Sequence, residues 1–134
     1  MRYESIKNAD ALIRVYGSWP WFHDAEVTSL LLQRDSPNRS LGFDPPSLEI
    51  VLADREGPTP TPWLVTLRFT GVRDIKLEGF NQQNVLFEMD ISPLLEDDGP
   101  AGWRTVCSSS HGLSGEWVSD GIEVVSVAPL SAPV

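Results

Sequence analysis

The chain holds a single cysteine, Cys107, and only two histidines, His23 and His111. One cysteine excludes an internal disulfide. Its place in a stretch of alternating residues predicts a small buried thiol in a reducing compartment. No apolar run approaches the roughly 18 residues that a membrane-spanning helix needs. The opening Met1-Arg2-Tyr3-Glu4-Ser5 leads into no apolar block of the kind a signal peptide carries. The expectation is a cytoplasmic protein with no membrane partner. Bases are scarce, and unevenly so: residues 1 to 76 hold ten acids and nine bases, whereas residues 77 to 134 hold nine acids and one base, Arg104. The resulting net charge of −9 repels polyanions at long range, which argues against nucleic acid as a partner. Glycine-rich phosphate loops, Cys-x-x-Cys pairs, a Gly-x-Ser-x-Gly elbow and His-Glu-x-x-His are all missing.

What is present is enough to fold. Apolar residues make up 41% and charged residues 22% of 134, the balance of a globular chain and the length of one domain, residues 1–134. Asn8 to Gly17 offers a capping residue, apolar positions at Leu12, Ile13 and Tyr16, and a terminating glycine, so a short helix is predicted over about 8–16. Trp19-Pro20-Trp21-Phe22 is aromatic and broken by proline, and is expected to be irregular and to pack over one end of the core.

A β core is predicted over about 26–127, with a tail at 128–134. Its first strand, Glu26 to Arg34, is apolar without clean alternation, which suggests burial on both sides. Leu48, Ile50 and Leu52 share a face opposite Glu49. The prolines at 58, 60 and 62 form a stiff connector before Val65, Leu67 and Phe69 alternate with Thr66 and Arg68. Ile75 and Leu77 mark a short strand with a wet face. Val85, Phe87, Met89 and Ile91 are expected on one side of the next, with Glu88 and Asp90 on the other, before a loop through Glu96, Asp97, Asp98, Gly99 and Pro100. Further strands are predicted near Trp103 to Ser108, Gly115 to Val118 and Ile122 to Val127. The fold class is therefore mainly β, an antiparallel β-meander or two-layer sandwich of about seven strands with one short N-terminal helix.

Reactive side chains do not assemble into a convincing constellation. In an extended His23-Asp24-Ala25-Glu26, Asp24 and Glu26 share a side and His23 faces away, so a three-ligand metal site would need a distant donor such as His111. The simpler reading has Asp24 accepting backbone N–H groups and His23 lying against Trp19 and Trp21. Cys107 and His111 are separated by Ser108-Ser109-Ser110, which reads as a strand running into a polar loop rather than as an activated thiol. No catalytic residue, metal or cofactor is expected. Of the five tryptophans, Trp19, Trp21, Trp63, Trp103 and Trp117, most should be core, and one or two are candidates for interface anchors.

The segment Gly17-Ser18-Trp19-Pro20-Trp21-Phe22-His23-Asp24-Ala25-Glu26-Val27 resembles the N-terminal signature of the immunity protein 50 family of bacterial polymorphic toxin systems. Phe69-Thr70-Gly71-Val72, Phe80-Asn81-Gln82-Gln83-Asn84-Val85 and a closing strand around Ile122 to Val127 echo the same family in order. The resemblance implies a small, mainly β, non-catalytic cytoplasmic protein that binds and neutralises a cognate toxin domain. It implies that Trp19, Phe22, His23, Asp24 and Glu26 are structural. It supplies no toxin-contacting residues. Those come from the charge distribution: Glu88, Asp90, Glu96, Asp97, Asp98, Glu116, Asp120 and Glu123 are candidate contacts of an acidic face for a cationic partner such as a basic nuclease. The bland reading of the charge is a solvated surface that aids solubility. The alternative function is a non-catalytic accessory or structural protein-binding module with no toxin. A third class, a small enzyme or metal protein, rests on His23, Asp24, Glu26 and His111 alone.

Overall fold

The computed structural model describes residues 3–34, 46–55, 57–96 and 99–130. After a 3-10 turn at Tyr3–Ser5 come helix α1 (Ala9–Tyr16) and the strands β1 (Glu26–Arg34), β2 (Pro46–Asp54), β3 (Trp63–Thr70), β4 (Arg73–Glu78), β5 (Val85–Glu96), β6 (Gly99–His111), β7 (Ser114–Ser119) and β8 (Gly121–Pro129). The fold is mainly β with one helix, and among the described residues it has eight strands where about seven are predicted. They form one antiparallel sheet in the order β4-β7-β6-β5-β1-β2-β3-β8. β8 runs on into the expected tail, pairing Ala128 with Leu64 and Pro129 with Trp63. Residues 131–134 of that tail lie outside the described residues, as do Asp97 and Asp98 of the expected loop.

The sheet has two four-stranded halves joined by a narrow seam. β1 and β5 share a single register pair, Glu26 with Val85. Around it the N–H of Leu86 donates to Ala25 O at 2.9 Å and the N–H of Val27 to Asn84 O at 2.8 Å. Past that seam the halves fold toward each other. Phe69 on β3 and Trp117 on β7 meet edge to face with ring centroids 5.1 Å apart, although their strands stand five places apart in the order. Five places in a flat sheet would separate them by roughly 24 Å, so the sheet is curled over its own core. Leu48, Ile50, Leu52, Val65, Leu67, Met89, Ile91, Cys107 and Val124 join the same buried cluster.

α1 plugs the curled sheet with Ala9 and Leu12, helped by Ile6 before it. Gly17 ends the helix in the left-handed region at φ 82°, its N–H donating to Ile13 O at 2.7 Å. Asn8 does not cap the helix start through its side chain as expected. Its amide reaches Val124 O at 3.5 Å instead, because the neighbouring Lys7 is tied to β8: Lys7 N–H donates to Ile122 O and Lys7 O accepts from Val124 N–H, both at 2.9 Å.

Two strand expectations need correction. β1 is not buried on both sides. Val27 is buried, but Leu31 and Leu32 are 49% and 44% exposed, since the seam with β5 ends at Glu26 and no described strand continues along that flank. On β5, Val85, Phe87, Met89 and Ile91 do not share a face. Irregular register at Val85/Leu86 and Leu86/Glu88 breaks the alternation, so Leu86 enters the core and Phe87 turns outward to 53% exposure.

Candidate functional site

Strand register places part of the acidic set together. Asp90 on β5 faces Val106 on β6, which faces Glu116 on β7; Glu88 lies one step along β5, opposite Ser108. Because facing residues in an antiparallel ladder share a side, Glu88, Asp90 and Glu116 lie on one outward face. Glu123 does not join them. It sits on β8 in the other half, in a row with Arg68 and Glu49. Asp120 occupies the corner between β7 and β8. The side chain of Glu96, and Asp97 and Asp98 entirely, lie outside the described residues.

Pairing divides the acids more sharply than position does. Glu116 holds Lys76 at 3.6 Å and also pairs with Arg104. Asp120 holds Arg73 at 2.6 Å, and Glu123 lies 3.6 Å from Lys7 and 3.9 Å from Arg68. These three carboxylates have their charge met within the protein. Among the described residues, neither Glu88 nor Asp90 has a cationic partner. Within the candidate set, they are the described acids whose charge no described cation meets.

The aromatic segment crosses β5 beside them. Trp19 is buried and stacks on Tyr3, ring centroids 4.8 Å apart and 7° between planes; Phe22 is buried as well. Trp21 goes the other way and is 72% exposed. Its carbonyl accepts the N–H of Met89 at 3.0 Å, which pins this segment alongside Glu88 and Asp90. His23 does not lie against Trp19 and Trp21 as expected. Its ring meets Phe87 edge-on at 5.4 Å, and its Nδ1 is 3.4 Å from Asp24. Asp24 binds the backbone through its own N–H, which donates to Leu86 O at 2.9 Å, instead of through its carboxylate. The cause is backbone conformation: Phe22 and Asp24 both take the left-handed region, at φ 59° and 64°, so the extended geometry assumed from sequence does not apply. Phe87 and Tyr3 are the members of this surface that sequence reasoning passed over. The outward turn of Phe87 depends on strand irregularity that carries no sequence signature.

The rest of the reactive inventory is quiet. Cys107 is buried on β6, and desolvation pushes its thiol up to about 12, far from a thiolate at neutral pH. His111 is four residues further along the same strand, roughly 13 Å away in extended backbone. Tyr16 is shifted well above its ordinary value, first by burial and then by its 2.7 Å hydrogen bond to Asp54. Among the described residues no three of His, Cys, Asp and Glu converge as metal ligands, and no helix is long and apolar enough to cross a membrane.

A family model described as Immunity protein 50 matches residues 8–130, nearly the whole chain. The chain belongs to the immunity protein 50 family. No curated protein and no solved structure matches it. The segments that echo this immunity protein family do structural work here. Gly71, at φ 63°, packs against Asp120 so closely that a methyl group would overlap the carboxylate. The N–H of Asp120 donates to Thr70 O at 2.9 Å, so this contact ties β3 to the β7–β8 corner. Asn84 is buried, and its Oδ1 accepts the N–H groups of Asn81 at 2.9 Å and Leu113 at 3.1 Å while its Nδ2 donates to Asn81 O at 2.6 Å. It fixes the loop at the seam between the two halves.

Proposed function

We propose that this chain neutralises a cognate bacterial toxin domain by binding it in the cytoplasm of the producing cell, and that it performs no reaction of its own. The family match over residues 8–130 carries this reading. The acidic surface of the second half is its contact face, centred on Glu88 and Asp90, whose charge no described cation meets. The candidate set also includes Glu96, Asp97 and Asp98. Glu116, Asp120 and Glu123 contribute less, being already paired. A toxin that acts on nucleic acid must be basic, and a protein of net charge −9 meets such a partner quickly through long-range attraction.

The test is co-expression in a bacterial host with the C-terminal domain encoded by the adjacent gene. Growth should be restored, and the two proteins should co-purify at a fixed ratio. Continued killing with both proteins soluble would remove the reading.

A further inference from the structure

We propose that Trp21, His23 and Phe87 form an aromatic anchor that grips an arginine-bearing segment of the toxin partner. The inference rests on the neutralisation reading above and names the surface through which it acts. Trp21, 72% exposed on the segment whose carbonyl is bonded to Met89, and Phe87, 53% exposed two residues before Met89, both forgo the burial that such side chains favour. Residues of this kind commonly dominate the affinity of an interface.

The patch is also held in place. Trp21 O is fixed by Met89 N–H at 3.0 Å, Phe22 is buried beneath, and Asp24 N–H is fixed to Leu86 O at 2.9 Å. Between them the backbone passes twice through the left-handed region, at Phe22 and Asp24, a conformation that costs of order 1 kcal/mol or more for a residue with a side chain. Across this stretch Trp21 is exposed and Phe22 is buried. From the other side, the irregular register of β5 turns Phe87 out to meet His23. Two independent distortions converge on one patch, so a partner would find it ordered in advance.

Charge selects the occupant. Glu88 and Asp90 follow Phe87 on the same strand and have no cationic partner among the described residues. The faces of aromatic rings are themselves electron-rich. A guanidinium satisfies both features, stacking flat on a ring while its N–H groups reach a carboxylate. A lipid surface would not tolerate the two acids, and a nucleic acid would be repelled by them.

The experiment measures affinity for a catalytically silenced form of the adjacent gene's C-terminal domain. Trp21→Ala and Phe87→Ala should each weaken binding at least tenfold, and Trp21→Lys at least a hundredfold. Val125→Ala, which trims an exposed apolar residue on β8, should stay within twofold, and all four variants should unfold at the wild-type temperature. Wild-type affinity in the three patch variants would overturn the anchor and leave neutralisation standing. If the wild-type protein does not bind the domain at all, the neutralisation reading falls and the anchor with it. Self-association of the free protein that Trp21→Ala abolishes would assign the patch to a second copy of this chain, which also overturns the proposal.

Discussion

Asp90 and Glu116 face the same residue, Val106, from either side, so the two carboxylates share one row of the outward face about two strand spacings, roughly 10 Å, apart. Glu116 is held by Lys76 and Arg104, while Asp90 has no such partner among the described residues. Equivalent in sequence, they differ in the field they present.

That difference predicts an asymmetry in association kinetics. Charge reversal at Glu88 and Asp90 should slow association with the toxin domain by about tenfold at low salt, and the effect should shrink as ionic strength rises and the Debye length shortens. Neutralising Asp120, already matched by Arg73, should change the rate by less than threefold. Stopped-flow measurement across 20 to about 500 mM salt checks both; an association rate flat with salt for the wild type would eliminate the acidic face as a steering element.

Asn84→Ala should destabilise the fold by about 2 kcal/mol. The substitution leaves the buried N–H of Leu113 without its acceptor, and a buried unsatisfied donor costs about 1–3 kcal/mol. Urea unfolding gives the number. A loss below about 0.5 kcal/mol would mean that the seam loop is held by its backbone alone.

Alkaline pH should weaken the protein. Burial raises the Cys107 thiol from its ordinary value of 9.0 to about 12 and raises the Tyr16 phenol from its ordinary 10.0. Both groups are raised in the folded state, so the stability they contribute is complete below their unfolded values and is lost as pH climbs. For Cys107 the window is about pH 9 to 12. Thermal melts should fall through it, and Cys107→Ala should flatten that decline even though it lowers stability at neutral pH. A thiol reagent should label Cys107 only after denaturant is added.

Thr105→Val should be neutral or stabilising by up to about 1 kcal/mol, unlike most changes in a core. Thr105 Oγ1 is fully buried and has no hydrogen-bond partner among the described residues, and valine matches its shape without the hydroxyl. A clear loss of stability would reveal an ordered water or another partner at that oxygen.

Much of the architecture was legible before any coordinates. Alternation at Leu48, Ile50 and Leu52 and at Val65, Leu67 and Phe69 marked two adjacent strands, since period-2 patterning reports a half-buried pleat directly. The bounds of β1 were likewise readable, but its burial was not: the apolar Leu30-Leu31-Leu32 carries no record of which neighbour stops short. The phase of β5 was misread because an irregular register inverts faces without changing composition.

The amino-acid sequence by itself determined the β class, the position of the helix, the family and the concentration of negative charge in the second half, because each of these depends on local pattern or on totals. Only the tertiary structure decided which acids are held in ion pairs and which tryptophan is left exposed. Lys76, Arg73, Lys7 and Arg68, all from the first half, fold onto Glu116, Asp120 and Glu123, and five tryptophans of identical chemistry are sorted into Trp19, Trp103 and Trp117 inside, Trp63 half-buried and Trp21 outside. Ion pairing and burial depend on distances between residues remote in the chain, and those distances are fixed only when the sheet curls.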